Sequence, residues 1–200
     1  MRMCTRTGWI HAYTKESWSC RSANSQVRKA TIFFESAVSC GEINPKGYVA
    51  ALELDNAQVL TEGPAILQYL VDLVPGNRLA PAPGTWARTR LQEQLNFIST
   101  EIHGASAPLF SADTPEAIKA IFKHKLFKRL DYLNHTLADQ DWLIGDFSVA
   151  DAYLFTVLRW LPTFNIDIVD WPVLDAYMHR IGSRPCVAAA IAAEAATQAV

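Results

Sequence analysis

The sequence predicts a small α+β N-terminal domain followed by an all-α C-terminal domain. Three observations carry this. A strand–turn–strand pattern leading into a helix start occupies residues 49–73. A stretch rich in Pro and Gly, residues 75–85, interrupts the pattern. Beyond it, apolar residues recur at helical spacing almost to the C-terminus. The predicted domains are therefore 1–74 and 86–200, joined by a linker over 75–85.

Residues 1–43 contain no Leu, no Pro and no Asp, whereas residues 44–200 hold 19 Leu and all 10 Pro. An even spread would put roughly four Leu in the first stretch, since Leu is among the commonest residues. Only Thr31-Ile32-Phe33-Phe34 there reads as a buried strand. Two readings stay open: an unusual N-terminus, or a frame-shifted one. Translating all three frames of the coding DNA near codons 1–43 separates them.

From residue 44 the signals become regular. Asn44-Pro45-Lys46-Gly47 is a turn, punctuated by Pro and Gly. Residues 49–54 read as a strand, Asp55-Asn56-Ala57 as a short polar loop, and Gln58-Val59-Leu60 as the return strand of a β-hairpin. Thr61-Glu62-Gly63-Pro64 then opens a helix, with Pro64 in the first turn, where a missing N–H costs nothing. Ile66, Tyr69, Leu70 and Leu73 supply its apolar face. Past the linker, Leu91, Leu95, Ile98 and Ile102 form one apolar stripe. Ile118, Phe122, Leu126, Leu130, Leu133 and Leu137 form a second. Residues 149–161 are apolar on nearly all sides, as a buried central helix requires. Two shorter helices are predicted near 172–181 and 186–196.

Composition narrows the function. Half of the 200 residues are hydrophobic and 19% are charged, which excludes wholesale disorder. A net charge of −2 argues against a nucleic-acid-binding domain held by general electrostatics. No apolar run approaches the roughly 18–20 residues needed to span a bilayer. No apolar leader follows Arg2 and Arg6, so a cytoplasmic location is expected. Cys4, Cys20, Cys40 and Cys186 form no C-x-x-C pair and are too sparse for a disulfide scaffold. The histidines His11, His103, His124, His135 and His179 show no zinc-binding His-x3-His spacing. Dinucleotide, phosphate-loop and nucleophile-elbow glycine motifs are all absent from the sequence.

Four motifs carry a family resemblance: Asn44-Pro45-Lys46-Gly47-Tyr48-Val49; Leu60-Thr61-Glu62-Gly63-Pro64-Ala65-Ile66; Leu95-Asn96-Phe97-Ile98-Ser99-Thr100-Glu101-Ile102-His103; and Gly145-Asp146-Phe147-Ser148-Val149-Ala150-Asp151. Over residues 43–200 the chain resembles a bacterial beta-class glutathione transferase. The resemblance implies a thioredoxin-like N-terminal domain, an α-helical C-terminal domain and a homodimer. It implies addition of glutathione thiolate to a small electrophile, with glutathione as co-substrate and no further cofactor, metal, nucleic acid or membrane.

The resemblance also implies site residues, one position at a time. Glu62 and Gly63 lie where the family receives the γ-glutamyl end of glutathione, main-chain N–H groups taking its carboxylate and the Glu its ammonium. A helix start suits an anion, because its first amides lack partners and the dipole end is positive. The plainer reading of Glu62 is an acidic helix cap. Tyr48 and Val49 are carried over as glutathione-binding, Val49 through its backbone N–H and C=O in strand fashion. The family's next residue is a cis-proline; here stands Ala50. A cis bond before a non-proline costs about 2.5–4 kcal/mol, so weaker glutathione binding is expected.

Asn96, Thr100 and His103 fall at i, i+4 and i+7, a single polar stripe on an α-helix. In the family such side chains face the glutathione sulfur. Asn96 and His103 are thereby the catalytic candidates, His103 as a hydrogen-bonding or proton-accepting partner of the thiolate. Thr100 is carried over as glutathione-binding, and Glu101 as a contact to ligand in the neighbouring subunit. Gly104 stands where the family often has Lys. Ser148 and Asp151 read as a capping box, a folding element. Lys119, Lys123, Lys125, Lys128 and Arg129 read as a solvated helix face. The family's Pro-Gly-Ala-Cys-Ser segment has no match in residues 1–42, so no catalytic cysteine is assigned. That departure, with Ala50 and Gly104, keeps open an alternative: a non-catalytic dimer of the same fold.

Overall fold

A computed structural model of the chain describes residues 2–4, 31–33, 44–47, 50–74 and 76–198. They divide into two compact units, Met1–Asn77 with Ser183–Val200, and Arg78–Gly182.

Among the described residues, the first unit holds four short strands: β1 (Arg2–Cys4), β2 (Thr31–Phe33), β3 (Ala51–Glu53) and β4 (Val59–Thr61). They form one sheet in the order β2-β1-β3-β4. β1 runs parallel to β2, with Met3 opposite Ile32, and antiparallel to β3, with Met3 opposite Leu52. β3 and β4 are antiparallel, with Leu52 opposite Leu60. This arrangement fits the expected thioredoxin-like domain.

The β3–β4 hairpin is where the sequence placed it, but its return strand starts one residue later. Leu54 donates its amide to the Gln58 carbonyl at 2.8 Å, and Ala57 donates to the Leu54 carbonyl at 3.0 Å. That closure holds Ala57 at φ +62°, the left-handed position that such loops usually give to Gly.

Helix α1 (Gly63–Asp72) comes directly after the hairpin. Ile66, Leu67 and Val71 are buried. Ile66 and Leu52 make a small core, against which Ala50, Leu54, Leu60, Tyr69 and Leu70 pack. Leu73, expected on the apolar face, is exposed instead, because the helix ends at Asp72.

The second unit is helical. α2 (Trp86–Phe97) is capped by Thr85, whose Oγ1 accepts from the Arg88 amide. A π-helical segment, Ile98–His103, continues into α3 (Gly104–Phe110). Then come α4 (Glu116–Thr136), α5 (Val149–Leu158) and α6 (Pro172–Gly182). α7 (Pro185–Gln198) closes the chain and belongs to the first unit. Cys186, in its first turn, is disulfide-bonded.

The first predicted stripe is buried throughout: Leu91, Leu95, Ile98 and Ile102 expose 1% or less. The second is buried only from Leu126 onward; Phe122 is half-buried and Ile118 is exposed. α5 is buried on nearly every side, as its composition required. Leu79 within the Pro-rich stretch is pinned to the start of α5, its carbonyl accepting from the Val149 amide at 2.9 Å.

The predicted capping box is present. Ser148 Oγ accepts from the Ala150 amide, and Asp151 accepts from the Ser148 amide at 2.8 Å. Ser148→Ala should cost about 1–2 kcal/mol in a urea melt, with activity per folded molecule unchanged. A stable variant with altered kinetics would show that Ser148 acts in the reaction instead.

Candidate functional site

In the first unit the candidate site is built where the hairpin ends and α1 begins. Glu62 takes φ +71° and ψ 113°, a region non-Gly residues rarely occupy. Its carbonyl accepts from the amides of Ala65 and Ile66, both at 3.0 Å. Its side chain makes no cap hydrogen bond. The acidic-cap reading therefore does not hold. The carboxylate is turned to solvent and accepts from the Lys46 ammonium at 2.9 Å. Lys46 also donates to Thr61 Oγ1 at 3.0 Å. Its own turn is closed by the Gly47 amide on the Asn44 carbonyl, and Asn44 is buried. The Asn-Pro-Lys-Gly turn thus delivers an ammonium to Glu62. Sequence reasoning read Lys46 only as part of that turn and missed this role.

Gly63 occupies the first position of α1, and a Cβ built there would meet no atom within 4 Å. Its backbone can be approached closely by a ligand. Tyr48 and Val49 lie outside the described residues, and so does the geometry of the bond preceding Ala50.

In the second unit the candidates surround the π-helical segment. Gly104 donates its amide to the Ser99 carbonyl, five residues back. This wider turn rotates the residues after it relative to those before it, and the single polar stripe expected of Asn96, Thr100 and His103 splits. Asn96 and Thr100 stay together and exposed, Thr100 Oγ1 donating to the Asn96 carbonyl at 3.0 Å. His103 turns inward and is half-buried. Its Nδ1 lies 2.7 Å from the Tyr153 hydroxyl on α5, and its ring meets Trp160 edge-on at 5.0 Å. Burial pushes the His103 pKa below the usual imidazole value. A lowered pKa leaves the ring neutral near pH 7, able to donate from one nitrogen and accept at the other. Gly104 suits the π turn: a Cβ there would sit 3.3 Å from the Ser99 carbonyl.

Glu101 is held within its own chain. Arg129 on α4 donates to its carboxylate at 2.7 Å, and Lys125 lies at 3.8 Å. The Arg129 hydrogen bond, aided by the charge of Lys125, keeps the Glu101 carboxyl below its ordinary range despite some desolvation. The basic run on α4 is therefore not merely a solvated face. Lys119 likewise pairs with Glu116.

An aromatic row continues from His103. Trp160 meets Phe110 at 5.4 Å, and Phe110 meets Phe164 at 4.7 Å, both edge-on. Trp160 and Phe164 are buried, while Phe110 is exposed. Tyr153, Trp160 and Phe110 carried no local signal for a site, since apolar positions on buried helices read as core. Among the described residues, no group of His, Cys, Asp and Glu could hold a metal ion, and no helix is long and apolar enough to cross a membrane.

The chain matches known proteins in both sequence and fold. Residues 97–185 match the family model described as the glutathione S-transferase C-terminal domain. Glutathione S-transferase GstA of Escherichia coli O157:H7 is 44% identical over 153 residues, 76% of each chain. A sphingomonad glutathione S-transferase solved with glutathione superposes with a TM-score of 0.86 at 34% identity, over 98% of this chain and 99% of that one. The bacterial beta-class enzyme of Sphingomonas chungbukensis gives 0.86 at 33% identity, over 97% and 98%. The chain belongs to the bacterial glutathione S-transferase family.

Proposed function

We propose that the chain transfers glutathione to small electrophiles, receiving the γ-glutamyl end of glutathione at Glu62 and Gly63 and hydrogen-bonding its thiolate through His103. One observation carries the binding half. Glu62 is held in a strained backbone conformation with its carboxylate facing solvent, and that carboxylate already accepts one ammonium, from Lys46. Strain at a solvent-facing carboxylate has no capping role to explain it, and a ligand ammonium is its natural partner. Asn96 and Thr100 supply exposed polar groups on the same helix as His103. Glu101 keeps the role of contacting ligand bound to a partner subunit.

The electrophile is apolar or aromatic in this proposal, because the Phe110–Trp160–Phe164 row continues from His103. The thiolate attacks the electrophilic carbon, a C–S bond forms, and the leaving group departs with its electron pair. His103 stabilises the anionic sulfur before attack. With an aryl halide and glutathione, thioether should form faster than in buffer alone, and His103→Ala should lower the rate by about ten- to a hundredfold. Rates equal to the uncatalysed reaction would return the chain to the non-catalytic alternative.

The protein should act in the cytoplasm, in disposal of reactive electrophiles, and as a homodimer. Light scattering should give about twice the 22.2 kDa of one chain. A clean monomer at high concentration would reject the dimer.

A further inference from the structure

We propose that Tyr153 is the positioning residue for His103: its phenol donates to Nδ1 and holds the imidazole as the tautomer that carries its proton on Nε2. The inference deepens the reading of His103 as the thiolate's hydrogen-bond partner and rests on it.

The geometry is specific. The Tyr153 hydroxyl and His103 Nδ1 are 2.7 Å apart, at the short end for a hydrogen bond. Tyr153 is 8% exposed and sits in the first turns of α5, two residues after Asp151. Asp151 ties the start of α5 to Leu143 and to Tyr177 on α6, so the phenol is carried on a fixed frame. The imidazole is also confined by edge-on contacts to the Tyr153 ring at 6.0 Å and the Trp160 ring at 5.0 Å. Little rotation is left to it.

Chemistry sets the direction of the bond. A neutral imidazole offers one N–H and one basic lone pair. A phenol, with a pKa of about 10, is a better proton donor than a neutral imidazole N–H. The imidazole lone pair is in turn a better acceptor than a phenol oxygen. The favoured pairing is O–H to Nδ1, which leaves the proton on Nε2. A hydrogen on Nε2 can be donated to an anionic sulfur, whereas the other tautomer would present a lone pair there. Burial, which disfavours the imidazolium, keeps this tautomer populated near neutral pH.

The test uses the full chain without ligand. Long-range proton–nitrogen correlation spectra report which imidazole nitrogen carries the proton, and His103→Gln assigns the signals. The parent should show the Nε2–H pattern. Tyr153→Phe keeps the ring packing, removes the hydroxyl, and should give a mixture of tautomers. With glutathione and an aryl halide, kcat of Tyr153→Phe should fall about tenfold while KM for glutathione stays within roughly twofold. An Nδ1–H pattern in the parent, or an unchanged pattern in Tyr153→Phe, overturns the proposal. The parent spectrum decides the direction of the bond even if the variant does not fold. If the tautomer behaves as expected but His103→Ala transfers glutathione at the parent rate, the thiolate reading fails while the positioning role stands.

Discussion

Asp151→Ala should destabilise the helical unit by roughly 3–5 kcal/mol, the largest effect expected of any single substitution considered for this chain. The carboxylate accepts from the Leu143 amide at 2.9 Å, the Ser148 amide at 2.8 Å, Ser148 Oγ at 2.8 Å and the Tyr177 hydroxyl at 2.9 Å. Leu143, Ser148 and Tyr177 are themselves buried, so water cannot easily replace the lost acceptor. Each buried donor left without a partner costs about 1–3 kcal/mol, and Ala strands several at once. Burial pushes the Asp151 carboxyl above its usual range, against the pull of those four hydrogen bonds. Asp151→Asn keeps the size and one acceptor oxygen, so it should cost less than Ala. Tyr177→Phe removes one donor together with its bond and should cost only about 1 kcal/mol. Urea titrations give all three, with the m-value checking that unfolding stays cooperative. If Asp151→Ala cost no more than Ser148→Ala, the carboxylate would be only a helix cap and not the tie between three segments.

Glu62→Ala should weaken glutathione binding by about ten- to a hundredfold. A charge-assisted hydrogen bond to an ammonium is worth roughly 1.5–3 kcal/mol, which converts to that range. The same carboxylate is paired with Lys46. Both partners are largely exposed, so that internal pair is worth about 0–1 kcal/mol and cannot exclude the ligand. Lys46→Met therefore should not mimic Glu62→Ala; it should raise affinity by up to about fivefold, because the ligand ammonium no longer competes with the lysine. Calorimetric titration of the parent and both variants separates the cases. Equal losses in the two variants would mean that Lys46 and Glu62 bind as a unit. No loss in Glu62→Ala would remove the ammonium of glutathione from this helix start.

The elements of this chain that depend on near neighbours were legible in the sequence. The hairpin needed only its polar loop, and α1 only its Pro in the first turn. The core of α2 and the π segment needed only the stripe from Leu91 to Ile102, all of it buried. The capping box at Ser148 and Asp151 spans three residues and was read correctly for the same reason. The site candidates came from motif resemblance, and the partners of the described ones were not legible in the sequence. Glu62 meets Lys46 from 16 residues away, Glu101 meets Arg129 from 28, and His103 meets Tyr153 from 50. No periodicity encodes those distances, because chain folding and not spacing brings the groups together. The π turn shows the same limit at short range. Asn96, Thr100 and His103 have α-helical spacing, yet the Gly104–Ser99 bond breaks their common face. The sequence by itself determined the hairpin, the main helices, the buried stripe from Leu91 to Ile102 and the family. Only the tertiary structure decided that His103 turns onto Tyr153 and that Glu62 faces an ammonium, because a side chain's pairing depends on every element packed around it.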